Sequence, residues 1–240
     1  MKSSLRQLFL VNDEDIRMEG RISPKWALLG IIGYVVLIYG TPRLFDDVLP
    51  RILIPTALAI VWIVAVVCKA KASGETLNSV LELKALRSGD ALKVLLTLLG
   101  ICITSVVMMK SCEALFDWVG IDYQREQELL KILQSSSLEV KLAVGVLCSV
   151  FAPVGEEIVF RRLLFGLLEP LGHLKAAVYC AFLFGLLHFF LLGFMHLFFM
   201  GLFLEFLFMK TKNLWLPIQV HVINNLLVFV VSLSGIGGGD

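Results

Sequence analysis

Charged residues are scarce in this chain of 240 residues, and none of its segments concentrates charge of one sign. Asp, Glu, Lys and Arg together make up 17% of the sequence, and the formal net charge is +1. A nucleic-acid-binding protein normally presents a concentrated basic face, so the composition predicts no nucleic-acid partner. The sequence also lacks a polar stretch long enough to form a sizeable soluble domain.

Cysteine motifs are missing as well. The chain has five cysteines, which show neither CxxC spacing nor an arrangement in pairs. We therefore interpret them as small apolar helix residues rather than disulfide or metal-binding residues. They are Cys68, Cys102, Cys112, Cys148 and Cys180.

Long apolar runs are what the sequence does contain. Apolar residues make up 58% of the chain, and the mean hydropathy is +0.86, whereas a soluble domain is about 45–50% apolar. A spanning helix needs roughly 20 apolar residues, so a chain of this length holds about seven or eight spans. The sequence thus predicts an all-α, polytopic transmembrane helical bundle with short interfacial helices.

The apolar runs divide the chain into candidate spans. They lie at about residues 26–39, 49–67, 91–115, 140–168, 174–209 and 214–233, and the fifth run is long enough for two helices in a hairpin. Pro153 and Gly155 interrupt the fourth run, because proline removes a backbone hydrogen bond and kinks a membrane helix. Leucine and valine spacing predicts interfacial helices near residues 77–81 and 129–133.

Four regions follow from this division. We expect a cytoplasmic N-terminal segment over residues 1–25, an N-terminal transmembrane region over 26–139, a C-terminal transmembrane core over 140–234 and a flexible tail over 235–240. Seven alternating spans place 15 of the 21 Lys and Arg residues on the side of the N-terminus. Because cytoplasmic loops carry the excess of Lys and Arg, the N-terminus is predicted to be cytoplasmic.

Four ionisable residues lie inside the fourth apolar run: Glu156, Glu157, Arg161 and Arg162. A charged side chain at a helix centre costs about 2.5–3.5 kcal/mol on insertion, so these groups must face protein, water or one another. Glu157 and Arg161 are four residues apart and are expected to form an ion pair. Glu156 has no local partner and is a candidate general base. Arg162 is expected to reach the headgroup layer. The alternative for the group is an interhelical salt bridge.

Further polar residues occur in the later spans. His188 lies near the end of an apolar run, and His221 and Asn225 share one face of the last span. Each of them alone is explained by interhelical hydrogen bonding. Together with Glu156 they supply a carboxylate and a histidine to activate water, and two donors to stabilise an oxyanion. His173 and His196 are interpreted as structural, whereas Glu205 either pairs with a basic residue or faces the site.

Two other kinds of site compete with this interpretation. Histidine and glutamate also bind zinc, but the sequence has no HExxH motif. A nucleophilic site would need a serine or cysteine beside a base. Ser149 and Cys148 are the nearest candidates in sequence, one to two turns before the glutamates, and they stand in no recognisable arrangement.

These residues resemble the CAAX prenyl protease type II family, also called the CPBP or Abi family of intramembrane glutamic endopeptidases. The resemblance covers about residues 145–232 and is of the bacterial type. One departure is Arg162, where members often have glycine. Three family motifs are matched: EExxFR by Glu156, Glu157, Phe160 and Arg161; FxxxH by Phe184 and His188; and HxxxN by His221 and Asn225.

The resemblance implies a role for each matched residue. Glu156 would activate a water, His188 would help to position or deprotonate it, and His221 and Asn225 would stabilise the oxyanion. Glu157 and Arg161 would support the site, as would the motif residue Phe184. The family is regarded as metal-independent, so no cofactor is expected.

The implied function is hydrolysis of a peptide bond in a membrane-associated peptide or protein, in a bacterial plasma membrane. Peptide maturation and bacteriocin immunity are the settings that the bacterial type implies. A proteolytically silent scaffold or immunity protein that binds a peptide is the alternative. A transporter is a weaker one, because no inverted repeat is visible in the sequence.

Overall fold

The computed structural model describes residues 22–70, 76–123 and 136–234. Within these ranges the chain forms helices and no strands, which confirms the all-α class. The predicted helix near residues 129–133, most of the N-terminal segment and the glycine-rich tail lie outside the described residues.

Eight helices follow one another in the described ranges. They are α1 (Pro24–Gly40), α2 (Val48–Ala70), α3 (Leu77–Val80), α4 (Asp90–Val119), α5 (Leu138–Leu171), α6 (His173–Leu186), α7 (Phe194–Thr211) and α8 (Trp215–Ser234). Of these, α2, α4, α5, α7 and α8 are long and apolar enough to cross a membrane, while α1 and α6 are shorter apolar helices. The described residues therefore contain seven apolar helices, in agreement with the prediction of a polytopic bundle.

The predicted interruption at Pro153 takes an unexpected form. Helix α5 continues through the proline, with wide π-helical turns at Leu147–Phe151 and Ile158–Leu164 on either side of it. Such turns insert one extra residue into a helix and are frequent at functional sites. Glu156 and Glu157 lie between the two wide turns.

The helices differ strongly in how much of their surface other helices cover. In the most apolar 18-residue stretch of each helix, only 11% is buried inside the protein for α4, against 44% for α5 and for α7. In a membrane setting, the many exposed leucines and valines of α4 face the lipid. The core lies where α5, α6, α7 and α8 meet, around fully buried Phe165, Phe184 and Phe208.

Arg162 does not reach a headgroup layer, and that prediction is wrong. Its side chain is buried; its Nε donates to the carbonyl of Val80 at 2.8 Å, and its Nη1 lies 3.2 Å from Glu82 Oε1. Both acceptors lie in residues 77–84, which comprise α3 and the four residues after it and are called the α3 segment below. Asn213 holds the same segment further along, through a pair of 3.1 Å hydrogen bonds with the backbone of Lys84. The Glu82 carboxylate and the Val80 carbonyl thus bind the guanidinium inside the protein, in place of the water and headgroups at the membrane surface.

Candidate functional site

Three helices bring the polar residues of the predicted site to one level of the bundle. Helices α5 and α6 form a hairpin around Gly172. Glu156 lies 15 residues before the end of α5, and His188 lies 15 residues after the start of α6. Helix α6 is only 14 residues long, about 21 Å, so it stops short of a full crossing. A count of full-length spans separates Glu156 from His188, but the short α6 places His188 at about the same level as Glu156.

Glu157 is the central acid of the buried network. Its Oε1 accepts a 2.8 Å hydrogen bond from Nδ1 of His221, and its Oε2 lies 2.8 Å from Arg161 Nε. All three side chains are almost completely buried. The ion pair between Glu157 and Arg161, predicted from their spacing, is therefore present. In addition, Glu157 fixes the ring of His221, a contact that sequence spacing does not reveal.

Arg161 also holds the second buried acid, Glu205. Its Nη1 lies 3.1 Å from Glu205 Oε1, so Glu205 joins the network through the arginine. The rings of Phe184 and Phe160 lie 5.5 and 5.9 Å from the guanidinium carbon, within cation–π range. Phe184, a residue of the FxxxH motif, thus packs its ring against the guanidinium of the ion pair.

Glu156 stands at the edge of this network, and it is the more accessible of the two glutamates. Its side chain is 21% exposed, whereas that of Glu157 is 0% exposed. Glu156 Oε2 lies 3.7 Å from Nε2 of His221, too far for a direct hydrogen bond. A gap of this size raises the question of a shared water, and both atoms can bind the same one.

His188 has a defined tautomer. Its Nδ1 lies 2.7 Å from the carbonyl oxygen of Phe184, so Nδ1 carries the proton and Nε2 is the lone-pair nitrogen. Its ring contacts the Phe184 ring at 4.8 Å, and that ring contacts His221 at 5.7 Å. Among the described residues no hydrogen bond joins His188 to either glutamate. The ring of Phe184 lies between His188 and His221 and contacts both.

Asn225 bonds to the backbone of α5. Its Nδ2 donates to the carbonyl of Cys148 at 3.2 Å, and its Oδ1 accepts from Asn224 at 3.3 Å. Asn224 is buried and also contacts the sulfur of Met200. The sequence interpretation did not single out Asn224, although a second amide in an apolar span is the same kind of signal as Asn225.

Two tyrosines of α1 also border the site, and sequence reasoning missed them. Tyr39 donates a 2.6 Å hydrogen bond to the carbonyl of Leu187, next to His188. Buried Tyr34 packs against Gly155, the residue before Glu156. The presence of two phenol side chains in or next to the first apolar run could have marked them as candidate site residues.

The remaining candidates lie outside the network. His173 pairs with Glu169 at 3.3 Å, and His196 shares a 2.7 Å hydrogen bond with Ser105. Ser149 is buried, and neither it nor Cys148 hydrogen-bonds a histidine through its side chain in the described ranges. Within those ranges, no group of three His, Cys, Asp or Glu side chains has an arrangement that holds a metal ion.

The fold and these contacts define a class: a polytopic membrane protein with a buried carboxylate–histidine site. Residues 138–227 match the sequence profile of the family described as "Type II CAAX prenyl endopeptidase Rce1-like". The resemblance of the motifs to this family is therefore confirmed for the matched segment. All the motif residues named above lie within the matched segment.

A curated relative supports the same class. The Bacillus subtilis (strain 168) protein named "Putative membrane peptidase YdiL" is 28% identical over 117 residues, which are 48% of this chain and 46% of that protein. The match thus spans about half the length of this relative. No solved structure matches the chain significantly. The family and this relative are both described as peptidases.

Proposed function

We propose that the protein is a metal-independent, glutamate-type intramembrane endopeptidase that hydrolyses a peptide bond in a membrane-associated peptide or protein. Residues 140–234 form its catalytic core. The observation that carries the proposal is the position of half-buried Glu156, whose Oε2 lies 3.7 Å from a histidine nitrogen that Glu157 orients from the other side.

In this proposal Glu156 is the general base. A water bound beside its carboxylate loses a proton to Glu156 while the oxygen attacks the substrate carbonyl. His188, two residues past the end of α6, presents its unprotonated Nε2 and helps to hold that water. The proton on Glu156 then passes to the leaving amine, so the carboxylate is regenerated.

His221 and Asn225 stabilise the oxyanion. In the proposal, Nδ1 of His221 donates to Glu157, and its Nε2, on the side of Glu156, is the nitrogen that donates to the oxyanion. Asn225 uses one Nδ2 hydrogen for the Cys148 carbonyl and has a second one for substrate. Preorganised donors of this kind each contribute about 10²–10³-fold in turnover.

The setting of the enzyme is part of the proposal. The N-terminus lies in the cytoplasm and the membrane is a bacterial plasma membrane, where peptide maturation or protection against bacteriocins is the role. The proposal is supported by the distribution of Lys and Arg, which remains in excess on the side of the N-terminus when the buried Arg161 and Arg162 are left out and α6 is not counted as a crossing.

The decisive test is Glu156→Gln, which keeps the shape of the side chain and removes the base. We expect peptide turnover to fall by about 10²–10⁴-fold with an unchanged melting temperature in detergent. Comparative peptidomics of cells that express the wild type or the variant identifies the substrate as a peptide whose processing depends on Glu156. Normal processing by the variant would falsify the proposal, and loss of wild-type activity in strong chelator would point to a metal.

A further inference from the structure

A backbone carbonyl of α5 lacks its usual helical partner beside Asn225. In an α-helix, the carbonyl of residue 148 accepts from the N–H of residue 152, and in a π-helical turn from that of residue 153. The Ala152 N–H donates to Leu147 instead. Residue 153 is proline, which has no N–H. The Cys148 carbonyl is thus left open by the wide turn and the proline together.

Asn225 supplies the missing donor. Its Nδ2 lies 3.2 Å from the Cys148 oxygen, and the contact joins α8 to α5 through two residues that are 77 apart in sequence. The direction of the bond fixes the orientation of the amide, since only the Nδ2 end can donate to a carbonyl. In lipid, an unpaired backbone carbonyl costs several kcal/mol, so this donor matters more than it would beside water.

The bond is one rung in a regular contact between α8 and α5. Phe229, Asn225 and His221 recur every four residues on one face of α8, and they meet α5 in turn at Gly145, Cys148 and Glu157. A Cβ on Gly145 would lie 2.1 Å from the Phe229 ring, so the helices touch closely there. Further along α5, His221 bonds to Glu157. Asn225 thus holds the wide turn between a tight helix contact and the glutamates.

We propose that Asn225 is a positioning residue: it takes the place of the N–H that Pro153 lacks and so fixes the wide turn that presents Glu156 and Glu157. This role is separate from oxyanion stabilisation, and its test does not require turnover. It uses one Nδ2 hydrogen and leaves the other for the proposed chemistry.

The test is a double-mutant cycle with Pro153→Ala, which restores a backbone N–H at the position of the i+5 donor. We expect Asn225→Ala to lower the apparent melting temperature in detergent by several degrees. The same substitution should have a much smaller effect in the Pro153→Ala background. Equal losses in the two backgrounds, or failure of the double variant to fold, would overturn the proposal.

Asn224→Ala is the matched control. Its amide is the neighbouring buried one, and it bonds to Asn225 and Met200 rather than to Cys148. Pro153→Ala should therefore rescue Asn225→Ala and not Asn224→Ala. Equal rescue of both would overturn the proposal, because it would show a general effect of losing the proline.

An infrared measurement reads the bond directly. In a chain whose only cysteine is Cys148, a ¹³C label on its carbonyl gives a separate amide I band. We expect Asn225→Ala to shift this band to higher frequency, and Pro153→Ala to reverse the shift. An unmoved band contradicts the proposal. Restored stability without restored turnover leaves the positioning role intact and supports the oxyanion role of Asn225.

Discussion

Arg161 and Arg162 are neighbours in the chain, and both are buried, but they belong to different regions of the molecule. Arg161 holds Glu157 and Glu205 beside the proposed site. Arg162 holds Glu82 and the Val80 carbonyl in the segment at α3. Successive residues of a helix point in different directions, which explains why the two arginines bind different partners. A buried charge alone therefore does not indicate a functional site. The stronger indication is that the charged residue is connected through its partners to the proposed reactive group.

The two regions should fail differently when they are disrupted. The Arg161 network connects through Glu157 to His221 and so reaches Glu156. The Arg162 network fastens the α3 segment to α5 through Val80 and Glu82, neither of which belongs to the proposed catalytic set. We therefore expect substitutions in the first region to change turnover, and substitutions in the second to change mainly stability.

The largest effect is expected for Arg161→Met, which leaves two carboxylates buried without their guanidinium. Breaking a buried ion pair in this way costs about 3–5 kcal/mol, and turnover should be lost because Glu157 no longer holds His221 in place. Arg161→Lys is the matched control: it keeps the charge but not the planar fork, so its losses should be intermediate. Thermal unfolding and peptide turnover in detergent measure both, and an active, stable Arg161→Met would contradict the assignment.

Arg162→Met is expected to lower the free energy of unfolding by about 3 kcal/mol while the folded fraction keeps normal turnover. The cause is loss of the Glu82 ion pair and of the donor to Val80. A cycle with Glu82→Gln isolates the pair, and the two substitutions together should cost less than their sum. A large loss of turnover at full stability would join Arg162 to the site and end the contrast between the two arginines.

The sequence predicted much of this architecture for a clear physical reason. Lipid requires long apolar helices, so the spans are visible as runs, and the hairpin over residues 174–209 forms with its turn near Gly193 as expected. The ion pair of Glu157 with Arg161 was predictable too, because helical spacing fixes which residues of one helix meet. The family motifs were likewise readable from the sequence and are matched by residues 138–227.

Contacts between distant segments were not predictable. The partner of Arg162 lies 80 residues away in a polar loop, and the bond of Asn225 to Cys148 depends on a wide turn that apolar patterning does not encode. The level of His188 relative to Glu156 depends on the short length of α6, which a count of full spans overlooks. Local spacing gave pairs within one helix, whereas tertiary packing determined pairs between helices.

A smaller effect is expected for Asn213→Ala, at the other end of the α3 contact. The amide makes two hydrogen bonds of 3.1 Å with the backbone of Lys84 and accepts a third, 3.2 Å long, from Trp215 N–H. Losing them should cost about 1–3 kcal/mol with unchanged turnover. Asn213→Asp keeps the two acceptor bonds and should lose less stability. A change in KM or kcat in either variant would show that the α3 segment acts on the site.

The smallest effect is expected for Glu205→Gln, although this residue lies inside the Arg161 network. Two buried carboxylates share one guanidinium, so neutralising Glu205 leaves Glu157 and Arg161 as a balanced pair. The amide oxygen can still accept from Arg161, and the net change in stability should stay within about 1 kcal/mol. The isosteric control Glu157→Gln removes the acid that orients His221 and should cost several-fold more, with loss of turnover. Unfolding free energies and turnover of the two variants make the comparison; equal losses would show that Glu205, like Glu157, acts directly on the proposed site.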